Sequence, residues 1–483
     1  MPFGVKLIMK DSLAAHLDLV AGFRPSGAKE RATFLRRIAE QIEMLGDELI
    51  QVCHEESKLA VDRLRGERVR TINQLLMFAD LVEEGSWVDA RIDKAQADRK
   101  PIPKPDLRRM LIPLGPVAVF SASNFPLAFS VAGGDTASAF AAGCPVVVKG
   151  HPAHPRTSVM VADAIGRAVT DTGMPPAIFY LITDPSIEVG TTLVTHPVIR
   201  AVGFTGSTQA GRNLFNLAAA RPDPIPVFAE MSSLNPVLVM PKALHERRAE
   251  IVKGLTGSVT LGVGQFCTKP GVVLGFRGSD FEEFTNALGE SLAKADAAPM
   301  LYPGIEERLK KSLQKMQPFI RVSQAAHLLV AKAKEFRENH LLQEEIFGPA
   351  TLLVECENEA DILKTIDSLP GQLTATVHLT PDEEESSRAF LEAFTEKAGR
   401  VLLNGYPTGV EVCPSMQHGG PYPATTDSRF TSVGTAAILR FARPVCFQNF
   451  AEKLLPAELQ NVNKLRIWRQ INGQLTKDDV VRA

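Results

Sequence analysis

The sequence predicts an α/β protein in which a doubly wound, Rossmann-like domain is followed by a second α/β domain. Residues 115–230 alternate short apolar strand patterns with helical patterns, which is typical of a parallel sheet covered on both faces. Residues 231–410 repeat this alternation. The chain of 483 residues also exceeds what a single hydrophobic core usually supports, so we expect at least two domains.

The composition is that of an ordinary globular protein. Apolar residues make up 45% of the chain, charged residues 22%, and the net charge is −2. Basic residues are scattered among acids, with few Tyr and Trp for base stacking, so no nucleic-acid partner is expected. No apolar run reaches membrane-spanning length and the N-terminus is not a signal peptide, which predicts a cytoplasmic protein without a membrane partner.

The cysteines lie far apart in the sequence. There is no Cys-x-x-Cys pair, and no histidine cluster has the spacing of metal ligands. This pattern predicts neither a disulfide framework nor a metal site, and it favours a reducing compartment. The six are Cys53, Cys144, Cys267, Cys356, Cys413 and Cys446.

The N-terminal region is predicted to be helical, because residues 28–50 and 62–84 carry apolar side chains at three- and four-residue spacing. Residues 92–109 are polar and interrupted by prolines, which excludes a helix and predicts an extended arm. Strands and helices then alternate. The predicted strands are 115–120, 144–149, 177–182, 201–204, 226–230, 272–276 and 350–354, and the predicted helices are 135–142, 156–172, 209–220 and 249–263.

Residues 262–271 place a single thiol, Cys267, between small and flexible residues. A buried structural cysteine needs neither flanking glycines nor an approach path, whereas a nucleophile needs both, since substrate and backbone must approach the sulfur. A lone cysteine in an intracellular protein is more often core filling, so the other segments decide between these interpretations.

Two polar side chains follow predicted strands at the edge of the sheet where ligands bind in such folds. Asn124 lies in a Ser-Asn-Phe-Pro turn, and its amide is either a turn residue or a donor to a developing oxyanion. Lys149 ends an apolar strand and precedes a rigid rim at 150–155, which suits a ribose or phosphate. No acid lies within 149–155, and this permits the 2′-phosphate of NADP.

Residues 204–211 form a strand-to-helix turn with glycines five residues apart. The following helix presents free N–H groups and the positive end of its dipole, so this turn is a candidate phosphate site. Glu230 ends the next apolar strand, where it is either a solvated strand end or an acid that activates a thiol or a water molecule.

Three later segments add candidate residues. Glu345, before the strand at 350–354, either decorates a helix end or accepts hydrogen bonds from a ribose. The loop-rich segments 404–409 and 416–421 lie near Cys413 in the sequence and are possible walls of a substrate pocket, with no individual residue singled out.

Taken together and in this order, these segments resemble the aldehyde dehydrogenase superfamily across nearly the whole chain. The motifs are SNFP, VVVK, FTGSTQAG, a strand-ending glutamate, GQFC and EEIFGP. The resemblance implies NAD(P)-dependent oxidation of a small aldehyde through a thiohemiacetal, hydride transfer and thioester hydrolysis.

The resemblance also implies a role for each matching position. In the catalytic group, Cys267 is the nucleophile, Asn124 and the Cys267 backbone N–H form the oxyanion hole, and Glu230 is the general base. The implied cofactor-binding residues are Lys149, His151, Gly206, Ser207, Gly211, Glu345 and Phe347. The implied substrate-pocket residues are Phe125, Phe129 and Pro414.

The sequence departs from the commoner family pattern after the glutamate, where it reads Met-Ser-Ser-Leu, and before the asparagine, where Ser123 replaces an aromatic residue. With KGHPAHP and the segment that begins HGGPYPATT, these variants resemble the branch that oxidises 2,5-dioxopentanoate (α-ketoglutaric semialdehyde) to 2-oxoglutarate. In having no acid after Lys149, the sequence is similar to the members of the family that accept NADP. NAD remains an alternative.

Two alternatives stay open. NADP-linked dehydrogenases of long-chain aldehydes share SNFP and the histidine-rich rim. They need a long apolar tunnel, whereas a dicarboxylate-derived aldehyde needs a cation or N–H donors, and the sequence does not place Arg156 or Arg429 in the pocket. A non-catalytic member of the fold predicts loss of the nucleophile or the base, yet Cys267 and Glu230 are both present.

The resemblance divides the chain into four parts. We expect a cofactor-binding domain at 1–229 with an oligomerisation arm at 90–110, and a catalytic domain at 230–412. We further expect a return to the cofactor domain at 413–455 and an oligomerisation segment at 456–483. Members of the family are dimers or tetramers, so a homo-oligomer is expected.

Overall fold

Four helices precede the first strand in the computed structural model, which describes residues 10–480. They are α1 (Lys10–Ala21), α2 (Ala28–Glu43), α3 (Gly46–Ser57) and α4 (Val61–Glu84). The predicted helix at 28–50 is therefore wrong as a single element. The chain breaks before Gly46, whose φ of 58° lies in the left-handed region that only glycine adopts without strain. Two short strands of the predicted arm follow, β1 (Arg91–Asp93) and β2 (Leu107–Pro113).

The predicted cofactor domain contains a five-stranded parallel sheet, the cofactor sheet, in the order β5-β4-β3-β6-β7. The chain leaves the central strand β3 for one side and later returns to the other, which creates a switch point at the carboxyl edge. The strands are β3 (Val117–Phe120), β4 (Val146–Lys149), β5 (Phe179–Ile182), β6 (Ala201–Thr205) and β7 (Val227–Glu230), and the helices are α5 (Gly134–Ala142), α6 (Pro155–Thr172), α7 (Ile187–Thr195) and α8 (Thr208–Ala219). The predicted doubly wound domain is confirmed.

The second domain contains a seven-stranded sheet in the order β10-β11-β12-β9-β8-β13-β14, parallel except for β10. Its strands are β8 (Val237–Val239), β9 (Val272–Phe276), β10 (Ile320–Ser323), β11 (His327–Lys332), β12 (Ala350–Cys356), β13 (Gln372–His378) and β14 (Ala398–Leu403). Its helices are α9 (Pro241–Thr260), α10 (Ser279–Ala293), α11 (Pro303–Lys315), α12 (Ala333–Glu338), α13 (Glu359–Ser368) and α14 (Arg388–Lys397). The prediction of a second α/β domain is also confirmed.

A third sheet joins segments from both ends of the chain, in the order β15-β2-β1-β16-β17. Its C-terminal strands are β15 (Ala442–Gln448), β16 (Arg469–Ile471) and β17 (Gln474–Thr476). Strand β15 pairs with β2 rather than with the cofactor sheet, so the last part of the predicted return segment belongs to the arm. Within residues 10–480, no helix is long and apolar enough to cross a membrane.

The earlier part of the return segment covers the carboxyl end of β7. Thr425 forms a β-bridge with Glu230, and the ring of Phe228 lies 5.2 Å from that of Phe430. A buried ion pair of 2.7 Å between Arg440 and Asp135 anchors the segment to α5. This segment therefore brings a distant part of the chain, including His418, to the edge of the cofactor sheet.

Candidate active site

Cys267 follows a tight turn at the end of α9. Three consecutive residues, Gly262, Val263 and Gly264, have φ values of 56°, 58° and 64°. A Cβ atom on Gly264 would lie 2.2 Å from the carbonyl oxygen of Gly348, so this glycine permits close approach of the EEIFGP segment. The flanking glycines thus shape the turn, and Cys267 emerges from it partly exposed.

Asn235 holds the turn that carries Cys267 in place. Its side-chain amide donates hydrogen bonds to the carbonyl oxygens of Cys267, at 2.9 Å, and Lys269, at 3.0 Å. Asn235 is fully buried and has a φ of 50°, a conformation that asparagine tolerates better than most residues. The sequence analysis did not find this residue, because a lone asparagine between strands carries no distinguishing pattern.

The structure brings Cys267 and Glu230 together and adds His418 between them. The Cys267 Sγ atom lies 3.5 Å from His418 Nε2, which lies 2.9 Å from Glu230 Oε1. Ser432 Oγ donates to Glu230 Oε2 at 2.6 Å. Because a carboxylate only accepts hydrogen bonds, His418 Nε2 carries a hydrogen atom and donates a hydrogen bond to Glu230. Both His418 and Glu230 are almost fully buried.

The electrostatics of this group favour a protonated thiol beside an ionised carboxylate. Burial, and then the charge of Glu230, raise the pKa of Cys267 well above its usual value, while Arg70 acts in the opposite direction. Burial acts to raise the pKa of Glu230, but His418 and the hydrogen bond from Ser432 outweigh it, so the pKa of Glu230 is lowered. The thiol therefore needs a base, and an ionised carboxylate lies beside it.

Asn124 lies in the loop after β3, directly beside the nucleophile segment. Its side-chain Nδ2 donates to the carbonyl oxygen of Gln265 at 3.0 Å, which leaves the second amide proton for another acceptor. Arg63 Nη2 donates to the Asn124 carbonyl oxygen at 2.5 Å, and Glu67 Oε1 accepts from the backbone N–H groups of Leu127 and Ala128. Helix α4 thus positions the loop, a role that its helical pattern did not reveal.

Aromatic side chains form the wall next to this group. The ring of Phe125 lies 5.4 Å from that of Phe129 and 5.3 Å from that of Phe266. The Phe129 ring in turn lies 6.5 Å from the His418 ring. Pro414 is exposed and lies outside this aromatic cluster, so the structure assembles two of the three predicted pocket residues.

The rim after β4 is built from stacked rings. Lys149 is half-buried at the strand end; burial lowers its pKa, and nearby Asp184 acts in the opposite direction. The His151 ring stacks on that of His154 with a centroid separation of 5.6 Å, and it is tilted against the ring of Tyr302 at 5.8 Å. Burial, reinforced by His154 and Lys149, lowers the pKa of His151 to about 3, so this rim offers a neutral imidazole.

The turn at 204–211 contains three residues that were predicted to bind the cofactor, Gly206, Ser207 and Gly211. The Gly206 N–H donates to the Glu230 carbonyl oxygen at 3.0 Å, and a Cβ on Gly211 would lie 2.6 Å from Met231 Sδ. Both glycines therefore take part in the packing of strand and helix, and their contact with the cofactor stays a prediction. Ser207 is the N-cap of α8 and accepts from the Ala210 N–H, so the first turn of α8 is a phosphate candidate.

Glu345 faces the segment after β7 rather than open solvent. Its carboxylate interacts with Lys269 and with Ser232 and the backbone of Ser233; burial raises its pKa and the charge of Lys269 acts in the opposite direction. Lys269 is buried and donates to the Ala350 carbonyl oxygen at 2.6 Å. Phe347 packs against the hydrophobic core around the cofactor sheet, so this loop of the second α/β domain reaches the first domain.

The fold also creates a possible metal donor set that the sequence spacing did not indicate. Among the described residues, single ligand atoms of Glu230, Cys267 and His418 lie within 4.8 Å of one another. Sulfur, imidazole nitrogen and carboxylate oxygen are ligands that zinc accepts. The same three atoms form the hydrogen-bonded group described above.

These features fit one class of protein: a nucleotide-dependent enzyme with a candidate cysteine nucleophile. The carboxyl edge of a doubly wound sheet faces a partly exposed thiol, with a buried carboxylate and a free amide proton beside it. A sheet edge of this kind binds dinucleotides, and a thiol between a base and an amide donor can form and resolve a covalent intermediate.

The chain belongs to the aldehyde dehydrogenase family. The model of the "Aldehyde dehydrogenase family" matches residues 9–307. The chain is 48% identical to Alpha-ketoglutaric semialdehyde dehydrogenase 2 of Azospirillum brasilense, over 95% of this chain and 90% of that protein. It is 47% identical to Alpha-ketoglutaric semialdehyde dehydrogenase of Acinetobacter baylyi, over 93% of this chain and 88% of that protein.

Solved structures share the fold. Betaine aldehyde dehydrogenase of Staphylococcus aureus matches with a TM-score of 0.76 and 19% identity, over 90% of this chain and 86% of that chain. Proline utilization A of Bradyrhizobium japonicum matches with a TM-score of 0.75 and 20% identity over 91% of this chain. This chain spans 45% of the length of that protein. The protein is thus an NAD(P)-dependent dehydrogenase of small aldehydes.

Proposed function

We propose that this enzyme oxidises 2,5-dioxopentanoate to 2-oxoglutarate. The observation that carries the proposal is the 47–48% identity, over nearly the whole chain, to two proteins named for the dehydrogenation of α-ketoglutaric semialdehyde. The arrangement of Cys267, Glu230 and Asn124 supports the chemistry. The oxidation of long-chain aldehydes is the alternative, and the substrate panel below tests it.

Acylation begins at the thiol. The Glu230 carboxylate accepts the thiol proton, and the shared Nε2–H of His418 can then turn toward the sulfur, 3.5 Å away, to stabilise the thiolate. The sulfur attacks the aldehyde carbon, and the free amide proton of Asn124 and the Cys267 backbone N–H stabilise the alkoxide of the thiohemiacetal. A bound nicotinamide would supply the hydride acceptor for this carbon, and loss of the hydride would leave a thioester on Cys267.

Deacylation uses the same carboxylate. After releasing the thiol proton to solvent, Glu230 accepts a proton from a water molecule, and the resulting hydroxide adds to the thioester carbonyl. The C–S bond breaks, so the products are the carboxylic acid and the thiolate of Cys267. The lowered pKa of Glu230 keeps it ionised for both proton transfers near neutral pH.

The residues at the sheet edge fit a dinucleotide by their chemistry. The Lys149 ammonium and the first-turn N–H groups of α8 suit phosphate oxygens, and the Glu345 carboxylate suits a ribose hydroxyl. His151 contributes a neutral ring to the rim. Phe347, which reaches the cofactor domain, supports the proposed placement of the nicotinamide ribose near Glu345.

We propose that NADP is the preferred cofactor and that NAD is also accepted. The absence of an acid within 149–155 supports room for a 2′-phosphate beside Lys149. Asp184, from the end of the neighbouring strand, acts electrostatically on Lys149 and supports acceptance of NAD, because a carboxylate can bind the free ribose hydroxyl.

We further propose a cytoplasmic homodimer or homotetramer. The described cysteines are unpaired, as expected in a reducing compartment. Two sheet edges offer interfaces: Leu475 on the edge strand β17 is 70% exposed, and Leu403 on the edge strand β14 is 55% exposed. Exposed apolar edge strands are favourable places for pairing with another subunit.

The substrate proposal is tested with a panel of aldehydes and both cofactors. We expect the highest kcat/KM for 2,5-dioxopentanoate with NADP, compared with succinate and glutarate semialdehydes, hexanal and decanal. A preference for decanal over every semialdehyde would contradict the substrate proposal. A strong preference for NAD would contradict the cofactor proposal alone.

Replacing His418 by alanine is expected to lower kcat about 10- to 100-fold, because Glu230 loses a charge-assisted hydrogen bond. His418 lowers the pKa of Glu230, so its removal raises that pKa and moves the acidic limb of the kcat profile to higher pH. His418→Gln retains an N–H donor and should lose less. An unshifted acidic limb in His418→Ala would argue against the lowering of the Glu230 pKa by His418. The control is His245→Ala, which removes an exposed histidine.

A further inference from the structure

The guanidinium group of Arg70 lies beside the catalytic group, and most of its N–H donors have no hydrogen-bond partner. Within residues 10–480, the Nε and Nη2 atoms of Arg70 are buried and unpaired. Buried guanidinium donors without acceptors are costly, so the unpaired donors of Arg70 are suited to an acceptor that comes from outside the chain. Arg70 lies close enough to Cys267 and Glu230 to influence both charges.

The neighbouring arginines have fewer unpaired donors than Arg70. Arg63 donates from Nη2 to the Asn124 carbonyl oxygen, and Arg400 donates to the carbonyl oxygens of Pro407 and Gly409. One buried nitrogen of each is unpaired, Nη1 of Arg63 and Nε of Arg400. Arg156 and Arg429, which the sequence did not place, form surface ion pairs with Glu55 and Asp427. Arg70 is therefore the arginine near Cys267 that has most of its donors available.

The acids near Arg70 are also committed. Glu67 accepts two backbone N–H groups of the Asn124 loop, and Glu230 accepts from His418 and Ser432. Glu411 is exposed and accepts from the Val412 N–H. These acids balance the charge of Arg70 from a distance, but none forms a hydrogen bond or an ion pair with it in the described structure.

We propose that Arg70 binds the substrate carboxylate and so sets the preference of this enzyme for aldehydes that carry an anionic group at the far end. This inference rests on the proposed function. A guanidinium matches a carboxylate with two parallel N–H···O bonds, which fixes orientation as well as charge.

The spacing suits a short substrate. The Arg70 Cζ atom lies 5.4 Å from the Phe129 ring centroid, and that ring lies 6.5 Å from the His418 ring beside Cys267. One aromatic ring thus separates the cation from the catalytic group. In 2,5-dioxopentanoate, three carbons separate the carboxylate from the aldehyde, and the rings of Phe125 and Phe129 offer apolar surface to them.

The test compares an anionic and an uncharged aldehyde of equal chain length. Arg70→Gln is expected to lower kcat/KM for 2,5-dioxopentanoate about 10- to 100-fold, mainly through KM, and to lose far less on pentanal. Arg70→Lys keeps the charge but not the fork, so its loss should be intermediate. Arg65→Gln is the matched control, because Arg65 is an exposed arginine on the same helix.

Equal losses on both substrates in Arg70→Gln would overturn the proposal, since they would indicate a general role in shaping the site. Unchanged kinetics on both would overturn it as well. If Arg70→Gln does not fold, Arg70→Lys allows the same comparison of kcat/KM between 2,5-dioxopentanoate and pentanal. Wild-type enzyme without activity on 2,5-dioxopentanoate would refute the proposed function instead, and the ratio of succinate semialdehyde to pentanal would then still test Arg70.

Discussion

Replacing Cys267 by alanine is expected to abolish aldehyde oxidation, with a loss in kcat of at least about 10⁴-fold. The reaction requires a covalent bond between the sulfur and the aldehyde carbon, and alanine offers no nucleophile. No second thiol can substitute in the described structure, because the three-atom group beside Glu230 and His418 contains this sulfur alone. The measurement is the rate of cofactor reduction with saturating aldehyde.

The same variant should fold and bind NAD(P) nearly as well as the wild type. Cys267 is partly exposed, and in the described structure its sulfur contacts only His418, at 3.5 Å, and Glu230 within the hydrogen-bonded group, so its removal costs little packing energy. Cys446→Ala, which removes an exposed cysteine, is the control and should retain activity. Measurable turnover by Cys267→Ala would disprove the assignment of the nucleophile.

Replacing Glu230 by glutamine should separate the two halves of the reaction. We expect a single burst of reduced cofactor followed by a steady-state rate about 10²- to 10⁴-fold below that of the wild type, since an amide cannot accept a proton from water. The burst persists, though more slowly, because Cys267 is partly exposed and can also lose its proton to solvent. Stopped-flow absorbance of the reduced cofactor measures both phases.

Controls for this variant come from its surroundings. Glu357→Gln removes an exposed acid of the catalytic domain and should leave both phases intact. Ser432→Ala removes one hydrogen bond to Glu230 but keeps the carboxylate, so its steady state should fall much less. An undiminished steady state in Glu230→Gln would show that another group activates the water.

Local patterns were sufficient to predict the architecture. Apolar runs predicted β3, β4, β6 and β7, and the glycine-flanked thiol and strand-ending glutamate were recognised from their neighbours in the sequence. These predictions succeed because strand and helix periodicity, turn residues and short motifs are properties of adjacent residues. The break before Gly46 was missed because the apolar spacing continues across it.

Only the tertiary structure revealed how the motifs are supported. His418 lies 151 residues from Cys267 and 188 from Glu230 along the chain. In the sequence, no residue of its loop was distinguished from the others as a functional candidate. Likewise, Gly206 and Gly211 matched a phosphate-binding pattern, and only the structure shows that they also allow β6, β7 and α8 to pack closely.

Helix α4 separates most clearly what the sequence determined from what the tertiary structure decided. Its sequence determined a helix with charged residues between apolar ones, and such charged residues are equally typical of a face exposed to solvent. The fold decided that Arg63, Glu67 and Arg70, four and three residues apart, share a face turned toward the active site. Which face of a helix meets which loop depends on packing between distant segments, and no local pattern contains that information.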